Sequence, residues 1–223
     1  MKKTLIILAA LMTLSVASNA QFIRFGVKGG VSSSNVKFDQ TTLKNVTTED
    51  GPKDFLVEQG DSKLGLHFGV FGRIQIMGLF IQPEVLFTQT KGEVVINDLT
   101  TSNAVSSIAK QKFNKFDIPV MVGWKFGPAR VGLGPVASFV VGESDGLRDK
   151  VEELTKQTVK NDFKGATFGY QIGVGLDILK FATIDLKYEG NLSKLGNGLN
   201  IGGEDFKFDQ RNPQFIASIG IFF

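Results

Sequence analysis

The chain has 223 residues, 25 of them basic, 22 acidic and none cysteine. Without cysteine it can form no disulfide and no thiol nucleophile, and it carries no lipoprotein acylation site. Lys2 and Lys3 fall in a leader segment, and without them the formal charge drops to about +1, so the basic pI of 9.0 does not argue for nucleic-acid binding.

The first segment, "MKKTLIILAALMTLSVASNA", places Lys2 and Lys3 before an apolar run from Leu5 to Ala17 and ends in small residues at Ser18-Asn19-Ala20. This is the pattern of a secretory signal peptide cleaved after Ala20. The run is short for a membrane helix. Residues 1–20 are therefore expected to be removed, and residues 21–223 to form one domain.

Eight segments of that domain alternate apolar and polar residues, as strands with two unlike faces do. In chain order they span 22–33, 64–76, 79–91, 112–126, 129–142, 164–178, 181–193 and 213–223. One row of every strand is uncharged and mostly apolar. In the fourth it reads Phe116, Ile118, Val120, Val122, Trp124, Phe126; in the eighth, Phe215, Ala217, Ile219, Ile221, Phe223. The opposite rows hold Arg24, Lys28, His67, Arg73, Gln82, Glu84, Lys115, Asp117, Lys125, Arg130, Gln171, Asp177, Asp185, Lys187 and Glu189, interleaved with glycine.

The connections alternate in length. Met77-Gly78, Gly127-Pro128 and Leu179-Lys180 are tight turns, whereas 34–63, 92–111, 143–163 and 194–212 are long and polar and are read as loops. In the third of these, Val151, Leu154 and Val159 form a weak helical stripe, compatible with a short helix. Its acids Glu143, Asp145, Asp149, Glu152 and Glu153 lack the spacing of a calcium loop and are read as solvated.

Two architectures fit this alternation. A soluble ligand-binding barrel would turn the apolar rows inward, and an outer-membrane barrel would turn them toward lipid. Each strand reaches the 9–11 residues that cross a bilayer. Aromatic residues fall at two levels: Phe25, Trp124, Phe126 and Phe223 near the short turns, and Phe68, Phe87, Phe116, Phe139, Phe168, Tyr170, Tyr188 and Phe215 near the long connections. The glycines share the charged row, which a narrow interior needs and a solvent face does not. The expected fold is therefore all-β: an eight-stranded antiparallel up-and-down transmembrane β-barrel, integral to the bacterial outer membrane, with its termini on the periplasmic side and its long loops outside.

With the strands so placed, the sequence resembles the PorT-like outer-membrane β-barrel family and, more loosely, small barrels of the OmpX and OmpA type. The segments that carry this are "FGVKGGVSSSNV", "LFIQPEVLFTQTKGE", "FDIPVMVGWKF", "IDLKYEGNLSKL" and "SIGIFF", with Pro83-Glu84 and Pro119 the most recognisable positions. The resemblance implies fold and location, and it allows an accessory role in protein secretion. It supplies no catalytic motif. Phe223 also resembles the C-terminal aromatic signal by which such barrels are recognised for insertion by the barrel-assembly machinery.

Arg24, Lys28, Arg73, Glu84, Lys115, Asp117, Lys125, Arg130, Asp177, Asp185, Lys187 and Glu189 should meet inside the barrel. They could form an ion path, but an interior of this width is filled by side chains, so paired charges acting as a plug are expected. His67 has no Ser or Asp at a diagnostic spacing and is read as a hydrogen-bonded lumen residue rather than a general base. "GLGPVA", 132–137, matches a dinucleotide fingerprint in letters only, because it continues a strand. Bulges or loosened pairing are expected at Pro83, Pro119 and Pro135. No enzymatic activity, cofactor or metal is expected. The expected partners are outer-membrane lipid, the assembly machinery and proteins met by the loops, on a monomeric barrel.

Overall fold

The structure, a computed structural model, describes residues 23–34, 37–38, 41–48, 51–100, 106–155, 159–163, 166–193, 196–201, 204–211 and 213–223. The expected signal peptide, 1–20, lies outside them. The first elements are β1 (Ile23–Ser34), β2 (Lys37–Phe38), β3 (Thr41–Thr48), β4 (Gly51–Ile76), β5 (Leu79–Asp98), β6 (Ser106–Phe126) and β7 (Ala129–Asp145). A helix, α1 (Gly146–Thr155), precedes β8 (Val159–Phe163), β9 (Ala166–Ile178), β10 (Ala182–Asn191), β11 (Gly196–Ile201), β12 (Glu204–Arg211) and β13 (Gln214–Phe222).

The strands β1, β13, β10, β9, β7, β6, β5 and β4 pair antiparallel in that order, and β4 pairs back onto β1. The eight-stranded wall therefore closes, and no edge is left to meet lipid. Three hairpins turn in two or three residues. Met77 and Gly78 both take positive φ, 48° and 87°, as a type I′ turn requires. Gly127 takes φ 59° ahead of Pro128. Leu179 and Lys180 adopt φ 52° and 62° without being glycine.

The expected rows face as read from the sequence. Leu66, Phe68 and Val70 of β4 are exposed, while His67, Phe71 and Arg73 on the alternate row are buried. The outward row stays apolar around the wall: Ile81, Val122, Val131, Ile172, Leu186 and Ile219 are all exposed. An apolar belt of this extent is not stable against water, so the soluble-barrel alternative fails.

One expectation holds in part and another needs correction. Pairing loosens beside the prolines, as expected, but no bulge forms there and the register does not shift. On β5–β6 the pairs Pro83↔Val120 and Leu86↔Asp117 keep one offset, and so do Pro119↔Val136 and Val122↔Leu133 on β6–β7. Each proline costs ladder bonds beside it, but no residue is inserted. The irregularities fall higher, at Asn114/Lys115 and between Gln59 and Leu66.

The long polar connections are also not loops throughout. The wall strands β4 to β7 continue past the membrane; β3 folds back on β4, and β2, β12, β11 and β8, from three different connections, form a second four-stranded antiparallel sheet. Above the charged lumen the inward row of β4–β6 becomes apolar. Phe55, Val57, Val94, Ile96, Ala109 and Phe113 are buried, together with Leu43 and Val46 of β3. Helix α1 lies against β6 and buries Val151 at 3% exposure. Val159, the third residue of the expected stripe, instead begins β8. The acids read as a solvated loop sit at the end of β7 (Glu143, Asp145) and in α1 (Asp149, Glu152, Glu153).

Candidate functional site

All twelve charged residues expected in the lumen lie on inward rows, and the structure joins them into one stack. At the periplasmic end, Asp177 of β9 collects four cations. Arg73 donates two bonds at 2.8 and 2.9 Å, Arg130 one at 2.7 Å, Lys125 one at 2.5 Å, and Arg24 a longer contact of 3.5 Å. Arg130 also reaches Asp185 and donates to Thr183 Oγ1 at 2.8 Å.

One layer higher, Glu84 Oε1 accepts from Lys28 and Lys187, each at 2.8 Å, and from Gln82 at 2.6 Å. Lys28 also donates to Asp185 at 2.9 Å, which ties this layer to the one below. In the top layer Lys115 lies 3.1 Å from Asp117 and 3.2 Å from Glu189. Glu189 further accepts from Gln171 at 2.7 Å and Gln214 at 2.8 Å, and Ser138 donates to Asp117 at 2.5 Å.

This arrangement fills space as well as pairing charge. Arg24 lies 4.0 Å over the Phe222 ring and Arg73 4.8 Å over the same ring; Phe222 meets Phe71 edge-on at 5.0 Å. Glycines make room for these side chains. A Cβ on Gly26 would sit 2.6 Å from the Phe71 ring, and one on Gly175 2.5 Å from the Arg130 guanidinium. The cavity beside Phe80, Gln82, Met121 and Arg130 holds about 10 Å³, room for roughly one water centre. The arrangement can hold charge and resist dehydration.

Phe71, Phe80, Leu86, Met121, Ile216 and Phe222 are buried on inward rows, and the sequence reading missed them. Their signal was present in their parity, which matches the charged row, but apolar letters on that row were not counted. Gly190 lies on the outward row of β10, where the Tyr170 ring covers it: an added Cβ would lie 2.5 Å from that ring.

His67 is buried, and its Nε2 meets Ser218 Oγ at 2.9 Å. The two are 151 residues apart, so no spacing rule could pair them. His67 Nδ1 has no hydrogen-bond partner, so no carboxylate orients the ring. "GLGPVA" lies inside β7, as expected.

The aromatic levels stand out on the exterior. Phe68, Phe87 and Phe116 form a chain with centroids 5.5 Å apart at each step, and Tyr170, Tyr188 and Phe215 form another at 6.4 and 5.1 Å. Phe139 pairs across from Phe116, and Phe168 is exposed beyond Tyr170. At the lower level Trp124 stacks on Phe126 at 6.3 Å, Phe25 is exposed, and the Phe223 N–H donates to the Phe25 carbonyl at 3.0 Å. Phe181, not expected there, is exposed in the same belt.

A closed wall of alternating strands, apolar and aromatic-girdled outside and charged inside, defines a transmembrane β-barrel of the outer-membrane type. Residues 17–197 match the family model described as outer membrane protein beta-barrel domain, and the chain belongs to that family. It is an integral protein of the bacterial outer membrane, with the tight turns on the periplasmic side and the long connections outside.

Among solved structures, Neisserial surface protein A is similar at 14% identity and TM-score 0.45, covering 89% of this chain and 97% of that one. Ail, the attachment invasion locus protein of Yersinia pestis, in complex with the heparin analogue sucrose octasulfate, is similar at 13% identity and TM-score 0.44, covering 91% and 100%. The outer membrane protein OprG from Pseudomonas aeruginosa is similar at 10% identity and TM-score 0.49, covering 90% and 95%. No curated protein matches the chain.

Proposed function

We propose that this protein works at the cell surface through a folded extracellular cap held on a sealed, monomeric barrel, and that it catalyses no reaction. The observation that carries this reading is the apolar core of the cap. Leu43, Val46, Phe55, Val57, Val94, Ile96, Phe113 and Val151 are each at most 4% exposed. Strands from three connections, cross-paired in one sheet, present a shaped platform, the kind of surface that docks a partner with little ordering cost. The mutual contact of His67 and Ser218, both buried, supports a structural role for the histidine. The assembly machinery is the expected partner during insertion, and the cap's partner is a protein or surface met outside.

The test is crosslinking in intact cells followed by capture, with residues 41–58 of the β3–β4 arm deleted as the comparison. Heat-modifiable gel mobility would verify that the shortened barrel still folds. A specific partner lost with the arm supports docking. An unchanged partner set favours a purely structural role in membrane integrity.

An accessory role in secretion is the second reading. It is supported by the PorT-like segments "LFIQPEVLFTQTKGE" and "FDIPVMVGWKF", which form the lower halves of β5 and β6. Glu84 in the first is the hub of the lumen network. Pro119 in the second stands across from the interrupted stretch of ladder beside it. Both motif positions thus have structural work to do. Secretion subunits captured by the arm-deleted protein would favour this reading over cap docking.

A further inference from the structure

The excess positive charge of the lumen lies in its periplasmic half. From the Glu84 layer down to the tight turns, the inward rows carry six cations, Arg24, Lys28, Arg73, Lys125, Arg130 and Lys187, and three acids, Glu84, Asp177 and Asp185. The layer above is the reverse, with Lys115 alone between Asp117 and Glu189. Among the described residues, the lower half thus holds an excess of three positive charges inside an apolar wall. Such a wall concentrates their field at the periplasmic mouth.

Strand pairing sharpens the imbalance. Arg24 and Arg73 are direct cross-strand partners on β1 and β4, and so are Lys125 and Arg130 on β6 and β7. Like charges in that position repel. Both pairs converge on Asp177, whose two oxygens offer about four lone-pair sites. Those sites are already taken by two bonds from Arg73, one each from Arg130 and Lys125, and one from Thr183 at 3.0 Å. Arg24 is left with the 3.5 Å contact and a bond to the Lys180 carbonyl at 3.2 Å. Every one of these cations therefore has a partner, but the single carboxylate they share neutralises one charge among them. Asp185, which Arg130 also reaches, is shared in turn with Lys28.

A donor is left over as well. Arg73 is 1% exposed, and its Nη2 has no hydrogen-bond partner. The Arg24 and Arg73 guanidinium groups lie over the same Phe222 ring and bind the same carboxylate, which sets the two side by side. Side-chain exposure falls from the rim inward: 28% at Arg24, 17% at Lys125, 3% at Arg130 and none at Arg73. A group entering along the barrel axis from the periplasm meets Arg24 and Lys125 first.

We infer that the periplasmic mouth binds an oxyanion, a phosphate or carboxylate group, held by Arg24 and Lys125 with Arg73 Nη2 behind them. Guanidinium and ammonium groups bond such oxygens strongly, and the anion supplies the acceptors that Asp177 cannot. Arg24 is the residue that changes partner, because its ion pair is the longest of the four. The site lies at the opposite end of the barrel from the cap and does not depend on what the cap docks.

The test is a nuclear magnetic resonance titration of the full-length mature barrel in phosphatidylcholine nanodiscs. The signals followed are the Arg24 side-chain Nε–H and the backbone amides of Arg24 and Lys125. The probe is inorganic phosphate, with chloride at matched ionic strength as the comparison. The signals should move saturably with phosphate, half-complete near ~1 mM, and should not respond to chloride. The variant R24Q/K125Q, followed on the residue-125 amide, should bind phosphate at least about tenfold more weakly, and K150Q on α1 should behave as wild type. Heat-modifiable mobility verifies that each variant is folded, and if the double variant does not fold, R24Q alone should weaken binding. Phosphatidylglycerol nanodiscs separate the sources of the anion. Signals already shifted there and deaf to added phosphate identify an inner-leaflet headgroup, whereas an unchanged phosphate response identifies a soluble anion. No saturable shift in either lipid, an equal response to chloride, or binding that survives R24Q/K125Q would each overturn the proposal.

Discussion

Glu84 is the residue on which the lumen turns. Its Oε1 takes two ammonium groups and an amide, and both lysines are buried, Lys28 completely. Removing a buried partner leaves charges that nothing compensates, at a cost of about 3–5 kcal/mol. Glu84→Ala should therefore lower barrel stability by about that amount, read as a shifted urea midpoint for folding into lipid vesicles. Arg24→Ala should cost under about 1 kcal/mol, because that side chain is 28% exposed and its contact is 3.5 Å long. A similar loss from both substitutions would mean that the layers do not differ in their dependence on pairing. Every charged member of the network was legible in the sequence, because alternation assigns a face to each residue. The pairings were not legible. Lys28 and Asp185 are 157 residues apart and Lys187 and Glu84 are 103 apart, and only the closed register brings them together. Phe71, Phe80 and Phe222 stayed hidden for a different reason: an interior that must be filled accepts apolar bulk wherever glycine clears the space.

Among the elements, the tight turns and the cap respond to different forces. Leu179 and Lys180 occupy a left-handed conformation that costs an ordinary residue roughly 1–2 kcal/mol. Asparagine tolerates it better, so Lys180→Asn should raise stability by about 0.5–1 kcal/mol in the same refolding assay. The carbonyl of residue 180, which accepts from Arg24, is unaffected by the change. The cap depends on apolar burial. Phe113 is 2% exposed, and truncating such a side chain costs about 3–5 kcal/mol. Phe113→Ala should let an external protease cut within 34–63 or 92–111 while the barrel keeps its heat-modifiable mobility. Loss of both together would mean that cap and wall fold as one unit. The wall strands and tight turns were legible because their alternation is unbroken. The cap was not, because its segments are short and polar and pair across three separate connections. A row that is charged below and apolar above, as on β5 from Glu84 to Ile96, reads as the end of a strand when the strand in fact continues.

For the whole molecule, the outward row fixes the environment and the inward row fixes the permeability. A lysine or arginine moved to the lipid face at the midplane costs about 2–4 kcal/mol. A one-residue slip of every strand would move the whole lumen network outward and cost tens of kcal/mol, so the register of the wall is strongly determined. Inside that wall, layers centred on Asp177, Glu84 and Glu189 stack with Phe71, Phe80 and Phe222 between and below them. Eight strands leave an interior that side chains can fill. On the proposed function, the protein presents a sealed barrel to the membrane and a folded platform to the outside. Planar-bilayer recording of the purified wild-type barrel at about 100 mV tests the sealed lumen, on which the surface reading rests, most directly. No stepwise current is expected at any salt concentration, whereas discrete, reproducible openings from the wild-type protein would contradict it.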